Sequence, residues 1–366
     1  MQDKNHPFVK FNVSRIIIAA LICLTLFGCK AGDQINCETY SNASSKDVIY
    51  RVSFDDSGVG GLIFALDVLQ ELEPNLRELE SKYAVRFIFQ QMGDSKNAPY
   101  GSKKPDEIDS LTRIMIDYTA NLQHTNTLIL ACNTASTVYD EEMDSLFKTK
   151  FPDLKIITMI TNSSKEIVDQ ATKYSKNKKD LYIALLATPA TIKSGAYQTQ
   201  IKNIARTNGQ ELKLFTYAPQ SWVNNIEKGV DKQISELDVK NDLESFKNQI
   251  GEDFQKLNVA GIFCTHYPFY KNEIKDFFNK NGNPDMEFLI QGQIFSDDIL
   301  SDITVNLKRD SLTYQRRVSL VPVKCTREIE IKSDITGGNK DEMKNTILKT
   351  NPKFADKVSF NTVQFR

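Results

Sequence analysis

Short apolar runs alternate with longer amphipathic stretches along most of this chain. Runs rich in β-branched and aromatic side chains predict strands, whereas apolar positions three or four residues apart predict helices. The predicted strands cover residues 48–54, 85–91, 127–131, 155–160, 181–187, 213–217, 259–263 and 287–290. The predicted helices include residues 62–71, 105–122, 135–148, 163–174, 237–257 and 267–279.

This alternation of strands and helices predicts an α/β fold of doubly wound parallel sheets with helices on both faces. Right-handed crossovers place the carboxyl ends of such strands along one edge of the sheet, where we expect the active site. The pattern changes after residue 308. Residues 316–331 alternate like a strand and are followed by a polar tail, so we treat residues 308–366 as a C-terminal extension of unknown role.

Composition and charge exclude several classes of protein. The chain has 366 residues, of which 40% are hydrophobic, and its net charge is −1. Disordered chains have fewer apolar residues and a larger net charge. A near-neutral charge lacks the basic footprint of a nucleic-acid binder, so we predict no nucleic-acid partner. Six cysteines are too few for a disulfide-stapled scaffold.

The amino terminus has the pattern of an export signal. Basic residues precede an apolar run at residues 16–27, which is too short to span a bilayer comfortably. Gly28 and Cys29 follow the run and resemble a bacterial lipobox, in which Cys29 is lipidated. We therefore predict a lipoprotein-type signal peptide at residues 1–28. The alternatives are an uncleaved anchor helix and a signal without lipidation.

Two consequences follow from that interpretation. Residues 29–46 are polar and are predicted to be a tether. The mature protein is expected to be exported and held by Cys29 on the periplasmic or outer face of a bacterial membrane.

Turn-forming residues follow the first two predicted strands. Residues 56–61 (DSGVGG) combine a carboxylate with glycines that permit a tight strand-to-helix turn, and helix N–H groups there can hold an anion. By itself this turn is a weak signal, because glycine-rich turns are common in α/β proteins. Residues 93–95 (GDS) and 99–101 (PYG) come after the second strand.

Two cysteines occupy equivalent places at the ends of apolar strands. Cys132 lies in residues 131–136 (ACNTAS), and Cys264 lies in residues 264–268 (CTHYP) with His266 beside it. A helix that starts at a cysteine favours the thiolate. A buried cysteine can also be a small apolar side chain and nothing more. Neither cysteine has a partner at metal-ligand spacing, so we predict no metal site.

Two such thiols are suited to proton transfer at carbon. A thiolate can remove a proton α to a carboxylate, and a thiol on the opposite face can return a proton with inverted configuration. This chemistry needs no cofactor. N–H donors at the helix starts would hold the substrate's carboxylates.

Five motifs occur in the order seen in cofactor-independent glutamate racemases, and the resemblance covers residues 48–307. The motifs are DSGVGG at 56–61, PYG at 99–101, ACNTAS at 131–136, TIKSGAY at 191–197 and CTHYP at 264–268. The resemblance implies two α/β domains related by a pseudo-twofold axis, with the active site in the cleft between them. It implies domain A at residues 47–157 plus 287–307 and domain B at residues 158–286, an amino-acid substrate and a homodimer.

The resemblance also implies roles for individual residues. Cys132 and Cys264 would be the acid/base thiols, with Asp56 assisting the first and His266 the second. Glu227 matches an acidic residue that supports the second thiol. The substrate would be lined by Asp56, Ser57, Tyr100, Gly101, Asn133, Thr134, Thr265 and His266. Aspartate racemases usually have an acidic residue at the position of His266, so this residue favours glutamate.

Several positions depart from the family pattern. Asp55 replaces an apolar residue, and it either raises the pKa of a neighbour or points to solvent. Phe263 replaces a glycine before the second cysteine, so the packing behind Cys264 must differ. Residues 291–293 (QGQ) replace an Asp-Ser pair. Export is also unusual for this normally cytoplasmic family, so a non-catalytic amino-acid-binding lipoprotein and a racemase of another amino acid, such as aspartate, remain alternatives.

Export would expose the cysteines to an oxidising compartment. We predict a disulfide between Cys37 and Cys325 that ties the C-terminal extension to the tether. The alternative is that both thiols are free.

Overall fold

The structure is a computed structural model that describes residues 48–83, 85–314, 330–336, 340–354, 356–362 and 364. The signal peptide, the tether, the lipidation of Cys29 and the Cys37–Cys325 disulfide all concern residues outside these ranges. Among the helices of the described ranges, none has the length and hydropathy needed to cross a bilayer.

The described residues form two sheets, the first of which has six parallel strands in the order β10-β9-β2-β1-β3-β4. In chain order these strands are β1 (Val48–Asp56), β2 (Val85–Gly93), β3 (Thr127–Leu130), β4 (Lys155–Thr158), β9 (Glu330–Ile335) and β10 (Val358–Thr362).

The second sheet has four parallel strands in the order β6-β5-β7-β8. They are β5 (Asp180–Ala187), β6 (Glu211–Tyr217), β7 (Val259–Phe263) and β8 (Glu287–Ile290). The structure confirms the predicted α/β class with two parallel sheets. It corrects one domain boundary, because β8 pairs with β7 in the second sheet and does not belong to domain A.

Helices connect the strands and cover both sheets. They are α1 (Gly60–Tyr83), α2 (Pro105–Leu122), α3 (Asn133–Ser136), α4 (Glu141–Lys150), α5 (Met159–Tyr174), α6 (Pro189–Ser194), α7 (Ala196–Thr207), α8 (Gln220–Glu227), α9 (Lys232–Ile250), α10 (Lys271–Asn281), α11 (Gln291–Tyr314) and α12 (Lys340–Thr350).

The central strands are apolar because both of their faces are covered. Every residue of β3 and of β7 is buried, as expected of parallel strands between two helical layers. In the first sheet, Phe54 stacks on Phe89 with ring centroids 6.1 Å apart and meets Phe64 of α1 edge-on at 5.9 Å. These contacts fix α1 on the sheet, and α1 begins at the candidate site.

The helix predicted at residues 62–71 extends over Gly60–Tyr83, and three other predicted helices are divided in the structure. The predicted helix 135–148 is two helices, α3 and α4, because Asp140 accepts a hydrogen bond from the Met143 N–H at 2.9 Å and starts a new helix. The predicted helix 237–257 is α9, which begins at Lys232, followed by a 3₁₀ segment at Gly251–Lys256. Residues Tyr267–Tyr270 are also 3₁₀ and precede α10.

The polar tail predicted at the carboxyl end is wrong for the described residues. Residues 330–362 contain β9, α12 and β10, and they enlarge the first sheet next to β2. Ile331 and Ile335 of β9 and Met343 and Ile347 of α12 are buried in the core. This part of the extension is therefore integral to the fold. Most of the predicted strand at 316–331 lies outside the described residues.

Candidate active site

Asp56 is the last residue of β1 and organises the turn into α1. Its Oδ2 accepts hydrogen bonds from the N–H groups of Gly58 at 3.1 Å and Gly61 at 2.9 Å. The carboxylate thus caps the start of α1 and is itself fully buried. Burial is the main reason that the pKa of Asp56 is raised, although the charge of His266 acts in the opposite direction.

Two glycines of the same turn allow the second sheet to come close. A Cβ atom at Gly58 would collide with Oε1 of Glu227, and one at Gly60 would collide with His266 Nδ1 and Thr265 Oγ1. A side chain at either position would force these neighbours to move. The DSGVGG motif therefore permits close approach of the two halves of the site.

Thr265, His266 and Glu227 connect the second sheet to this turn. Thr265 Oγ1 donates to Asp56 Oδ1 at 3.2 Å. Glu227 Oε1 lies 2.5 Å from His266 Nε2 and accepts the Val59 N–H at 3.1 Å. A residue at the end of α8 and two that follow β7 thus meet the end of β1, as the sequence analysis predicted for the strand ends.

Cys132 follows β3 and caps the short helix α3. Its Sγ accepts the Ala135 N–H at 3.5 Å and lies 3.7 Å from Ser57 Oγ. The pKa of this thiol is nevertheless raised to about 12, first by burial and then by the charge of Asp56. The expectation that the helix start would favour a thiolate is wrong for this state, because a helix of one turn offers too little stabilisation against burial.

Cys264 follows β7, and its sulfur lies close enough to His266 to act on the imidazole electrostatically. Burial alone would lower the pKa of His266, but the neighbouring Cys264 sulfur and the carboxylate of Glu227, 2.5 Å from Nε2, raise that pKa well above the ordinary value. The imidazole is therefore a cation at neutral pH and lies beside the second sulfur. The ring of the preceding residue, Phe263, packs on Tyr197, with the ring centroids 4.7 Å apart.

Both cysteines neighbour the same carboxylate. Asp56 acts on Cys132 through its charge and binds Thr265, the residue after Cys264. Asp56, Cys132, Cys264, Thr265 and His266 are each no more than 5% exposed. These five side chains are thus almost fully shielded from solvent in this structure.

Asp55 points away from solvent. Its side chain is fully buried, and Oδ1 accepts a hydrogen bond from Thr119 Oγ1 at 2.7 Å. Burial, with a smaller contribution from the charge of Asp56, raises the pKa of Asp55 well above its usual range. Of the two interpretations open from the sequence, solvent exposure is excluded.

Tyr100 and Gly101 lie in the loop after β2. The Tyr100 hydroxyl is fully buried and donates to Asp94 Oδ2 at 2.8 Å. Burial and then the charge of Asp94 raise the pKa of the phenol, and the nearby Cys132 contributes less. A Cβ at Gly101 would collide with Thr188, so this glycine also lies where the two halves meet.

Asn133 and Thr134 belong to two buried networks. Asn133 binds Gln291, with Nδ2 to Oε1 at 2.7 Å and Gln291 Nε2 to Oδ1 at 3.0 Å, and it also accepts from the Tyr197 hydroxyl. Thr134 Oγ1 lies 2.8 Å from Thr188 Oγ1 and 3.1 Å from Thr191 Oγ1. Both networks join the first-sheet side of the site to the second.

Sequence reasoning missed some residues of the site. Thr188 could have been found, because a threonine before Pro189 is a helix-start signature. Asp94 was noted only as a turn residue, and Ser163, which Gln291 binds at 2.8 Å, carried no signal. Within the described ranges, no group of three or more His, Cys, Asp and Glu side chains could hold a metal ion.

No protein-family model matches the chain, but curated relatives do. The chain is 30% identical to the glutamate racemase of Aquifex pyrophilus over 230 residues, which are 62% of this chain and 75% of that protein. It is 31% identical to the glutamate racemase of Persephonella marina over 224 residues, 61% of this chain and 73% of that protein.

Solved structures of glutamate racemases share the fold. The enzyme of Francisella tularensis in complex with D-glutamate has a TM-score of 0.58 at 20% identity, and the match covers 87% of this chain and 98% of that chain. The enzyme of Bacillus anthracis also has a TM-score of 0.58, at 17% identity over 87% and 98% of the two chains.

The parallel-sheet fold and the curated relatives together define the class of this protein, an isomerase that racemises an amino acid. Within that class, the chain belongs to the glutamate racemase family. The roles of the individual site residues remain predictions.

Proposed function

We propose that this protein interconverts L- and D-glutamate without a cofactor, and that Cys132 and Cys264 move the α-proton. The observation that carries the proposal is the shared neighbourhood of the two sulfurs. Each cysteine follows an interior strand of its sheet, and each is adjacent to Asp56 or to the residue bonded to it. The names of the curated relatives support glutamate as the substrate.

The reaction begins with one of the two cysteines protonated and the other deprotonated. One cysteine, as thiolate, takes the α-proton and leaves the electron pair on the α-carbon, next to the carboxylate. The other cysteine, as thiol, gives its proton to the opposite face of the same carbon. The configuration inverts, and the two sulfurs exchange protonation states, so the reverse reaction begins from the product state.

The two sulfurs have differently charged neighbours. Cys132 is a neutral thiol, since its pKa is raised to about 12. His266 is an imidazolium that can stabilise negative charge on the Cys264 sulfur or return a proton to it. The charged neighbour of Cys132 is thus the Asp56 carboxylate, and that of Cys264 is the His266 imidazolium.

Polar groups around the sulfurs are suited to hold the substrate. Ser57 and Asn133 flank Cys132, and Thr265 flanks Cys264. In the site as it stands their partners are other protein groups, such as Gln291 for Asn133. Exchanging these hydrogen bonds for the carboxylates of glutamate would align the α-carbon between the sulfurs, which lowers the barrier by pre-organisation.

The test is chiral analysis in D₂O with the full chain, kept in mild detergent so that its amino-terminal segment is retained. L-glutamate and D-glutamate are incubated separately, then resolved on a chiral column and weighed by mass spectrometry. We expect each enantiomer to yield the other with one deuterium at the α-carbon. Binding without inversion or exchange would support the non-catalytic alternative, and turnover of aspartate alone would move the substrate to another amino acid.

We propose, in addition, that the protein is exported and lipidated at Cys29, because residues 16–27 and Gly28 resemble a lipoprotein signal. Intact mass of the membrane-extracted protein tests this. Loss of residues 1–28 with an added diacylglyceryl group is expected, and an unmodified amino terminus would contradict it. The homodimer implied by the family likeness is likewise a proposal, which light scattering of the purified chain tests.

A further inference from the structure

Strand β9 lies directly beside β2, and the loop that follows β2 holds Tyr100 and Gly101. The two strands are parallel, with Ile88 opposite Glu330 and Gly93 opposite Ile335. Thr336, the next residue, therefore lies level with Asp94 at the start of the loop that holds Tyr100. A segment far away in the chain thus reaches the edge of the candidate site.

Thr336 makes three hydrogen bonds to this loop. Its N–H donates to the Gly93 carbonyl at 3.1 Å, its hydroxyl donates to Asp94 Oδ1 at 2.7 Å, and the same hydroxyl accepts the Lys96 N–H at 3.0 Å. A carboxylate acceptor makes the bond to Asp94 one of the stronger kinds. The side chain of Thr336 thereby fixes the orientation of the Asp94 carboxylate.

The other hydrogen bonds of Asp94 connect Thr336 to the surroundings of the Cys132 sulfur. Its carboxylate accepts from Asn97 Nδ2 at 2.9 Å and from the Tyr100 hydroxyl at 2.8 Å, and its N–H donates to the Asp56 carbonyl at 3.0 Å. Tyr100 is fully buried and lies close enough to Cys132 for the two groups to interact electrostatically. A chain of contacts therefore runs from Thr336 through Asp94 and Tyr100 to Cys132.

Ser333 of the same strand makes a second connection. Its hydroxyl donates to Gln91 Oε1 at 2.7 Å, which turns the Gln91 amide so that Nε2 points at the Gly58 carbonyl, 3.4 Å away. Gly58 is the residue whose N–H binds Asp56. Ser333 is fully buried, so water does not compete for this contact.

We propose that Ser333 and Thr336 are positioning residues for the racemase site, and that β9 holds both first-sheet loops of that site in their working geometry. The inference rests on the proposed function for its kinetic consequence. Ser333 of β9 and Thr336, the residue directly after β9, make polar contacts to two different loops of one site, which is more than a strand needs in order to join a sheet. Ile331 and Ile335 already supply the apolar contacts that do so.

The experiment uses three variants of the full chain. Thr336→Val keeps the shape of the side chain but removes the hydroxyl, and Thr336→Ser restores it. Thr362→Val is the matched control, because Thr362 is an exposed residue of β10, one strand farther from β2 and opposite Ile335. Glutamate kinetics and thermal unfolding are measured for all three. The rate of alkylation at Cys132 and at Cys264 is followed by peptide mass spectrometry.

We expect Thr336→Val to lower kcat/KM about tenfold, mainly through kcat, because the loss is one of alignment at the reacting carbon. Alkylation of Cys132 should accelerate several-fold while that of Cys264 stays unchanged, since only the first-sheet loop is released. Thr336→Ser should restore both values, and Thr362→Val should leave them as in the wild type.

Equal behaviour of Thr336→Val and Thr362→Val in both measurements would overturn the inference. Equal acceleration at both cysteines would overturn it as well, because that result indicates general loosening of the fold. A wild-type protein without racemase activity would refute the proposed function instead, and the alkylation rates would still decide whether Thr336 controls the surroundings of Cys132.

Discussion

Oε1 of Glu227 lies 2.5 Å from Nε2 of His266 and also accepts the N–H of Val59 at 3.1 Å. One carboxylate oxygen thus holds the histidine beside Cys264 and the turn that carries Asp56. The contact raises the pKa of His266 and so keeps the imidazole charged. The same oxygen joins the two sides of the site, so it affects both the protonation of His266 and the contact between the two sides.

Glu227→Gln separates these two effects, because glutamine keeps an acceptor oxygen but removes the charge. The pKa of His266 should fall, so the imidazolium should be lost at a lower pH than in the wild type. We expect the alkaline limb of the kcat/KM profile to move to lower pH. At pH 8 the kcat/KM of the variant should be about 10- to 100-fold lower than that of the wild type. This reduction is smaller than the one that often follows removal of a complete acid or base.

The control for this variant is Glu211→Gln, an exposed residue at the start of β6. Its pH profile should coincide with that of the wild type. A Glu227→Gln profile that is lower at every pH but not displaced would indicate that Glu227 acts only through the contact between the two sides.

Cys132→Ser and Cys264→Ser test the assignment of the two thiols. A serine hydroxyl is a much weaker acid/base group than a thiol, so each variant should racemise about 10²- to 10⁴-fold more slowly. One working thiol remains in each. We therefore expect each variant to exchange the α-proton of one enantiomer with D₂O without inverting it, and the two variants to act on opposite enantiomers.

The double variant should show neither exchange nor inversion, with an unfolding temperature near that of the single variants. More than about 1% of wild-type racemisation in either single variant would refute the assignment, since it exceeds the activity left by the smallest loss expected for a missing acid or base. Exchange of the same enantiomer by both variants would also refute it.

The strands within residues 48–307, the part of the chain that resembles the family, were predicted well, because strands buried on both faces must be continuous apolar runs. Strand β3 and strand β7 are examples in which every residue is buried. Strand β9 was not predicted beyond residue 331, because its buried positions are Ile331, Ser333 and Ile335, of which the middle one is polar. A polar residue at a core position hides the alternation from which a strand would be predicted.

The site was predictable where local chemistry marks it. A cysteine directly after an apolar strand, as at Cys132, combines a reactive group with a defined place in the fold. The pKa of that cysteine was not predictable, because it depends on burial and on Asp56, which no local pattern reports. The contact between Thr336 and Asp94 joins residues 242 positions apart, a separation that no sequence spacing connects without the fold.

Gly60→Ala tests the close approach of the two sides. A Cβ at this position would collide with His266 Nδ1 and Thr265 Oγ1, so those side chains or the turn must move. We expect kcat/KM to fall about 100-fold, as is typical when reacting groups shift by about 1 Å.

Gly209→Ala provides the comparison for this variant. Gly209 has φ +68°, and among the described residues no atom lies within 4 Å of the place that an alanine methyl group would take. Alanine there strains the backbone without any collision. It should lower stability by about 1–2 kcal/mol but leave kcat/KM unchanged. If Gly60→Ala keeps wild-type kinetics, the close approach is not required for catalysis.

Asp55→Asn tests the cost of burying a carboxyl group beside Asp56. The Oδ2 atom of Asp55 accepts no hydrogen bond from the described residues, and burial raises the pKa of the group well above its unfolded value. The stability that a protonated Asp55 contributes is therefore complete below the unfolded pKa. It is lost as the pH rises through the folded pKa. Asparagine has no proton to lose, and its Oδ1 can still accept from Thr119.

Thermal and urea unfolding between pH 4 and pH 8 measure the difference. Asp55→Asn should match the wild type at pH 4 and exceed it by about 1–3 kcal/mol at pH 8, the usual cost of an unsatisfied buried polar group. Asp153→Asn, at an exposed turn, should follow the wild type throughout. A constant difference across the pH range would mean that Asp55 does not titrate in this range and that its replacement acts through packing alone.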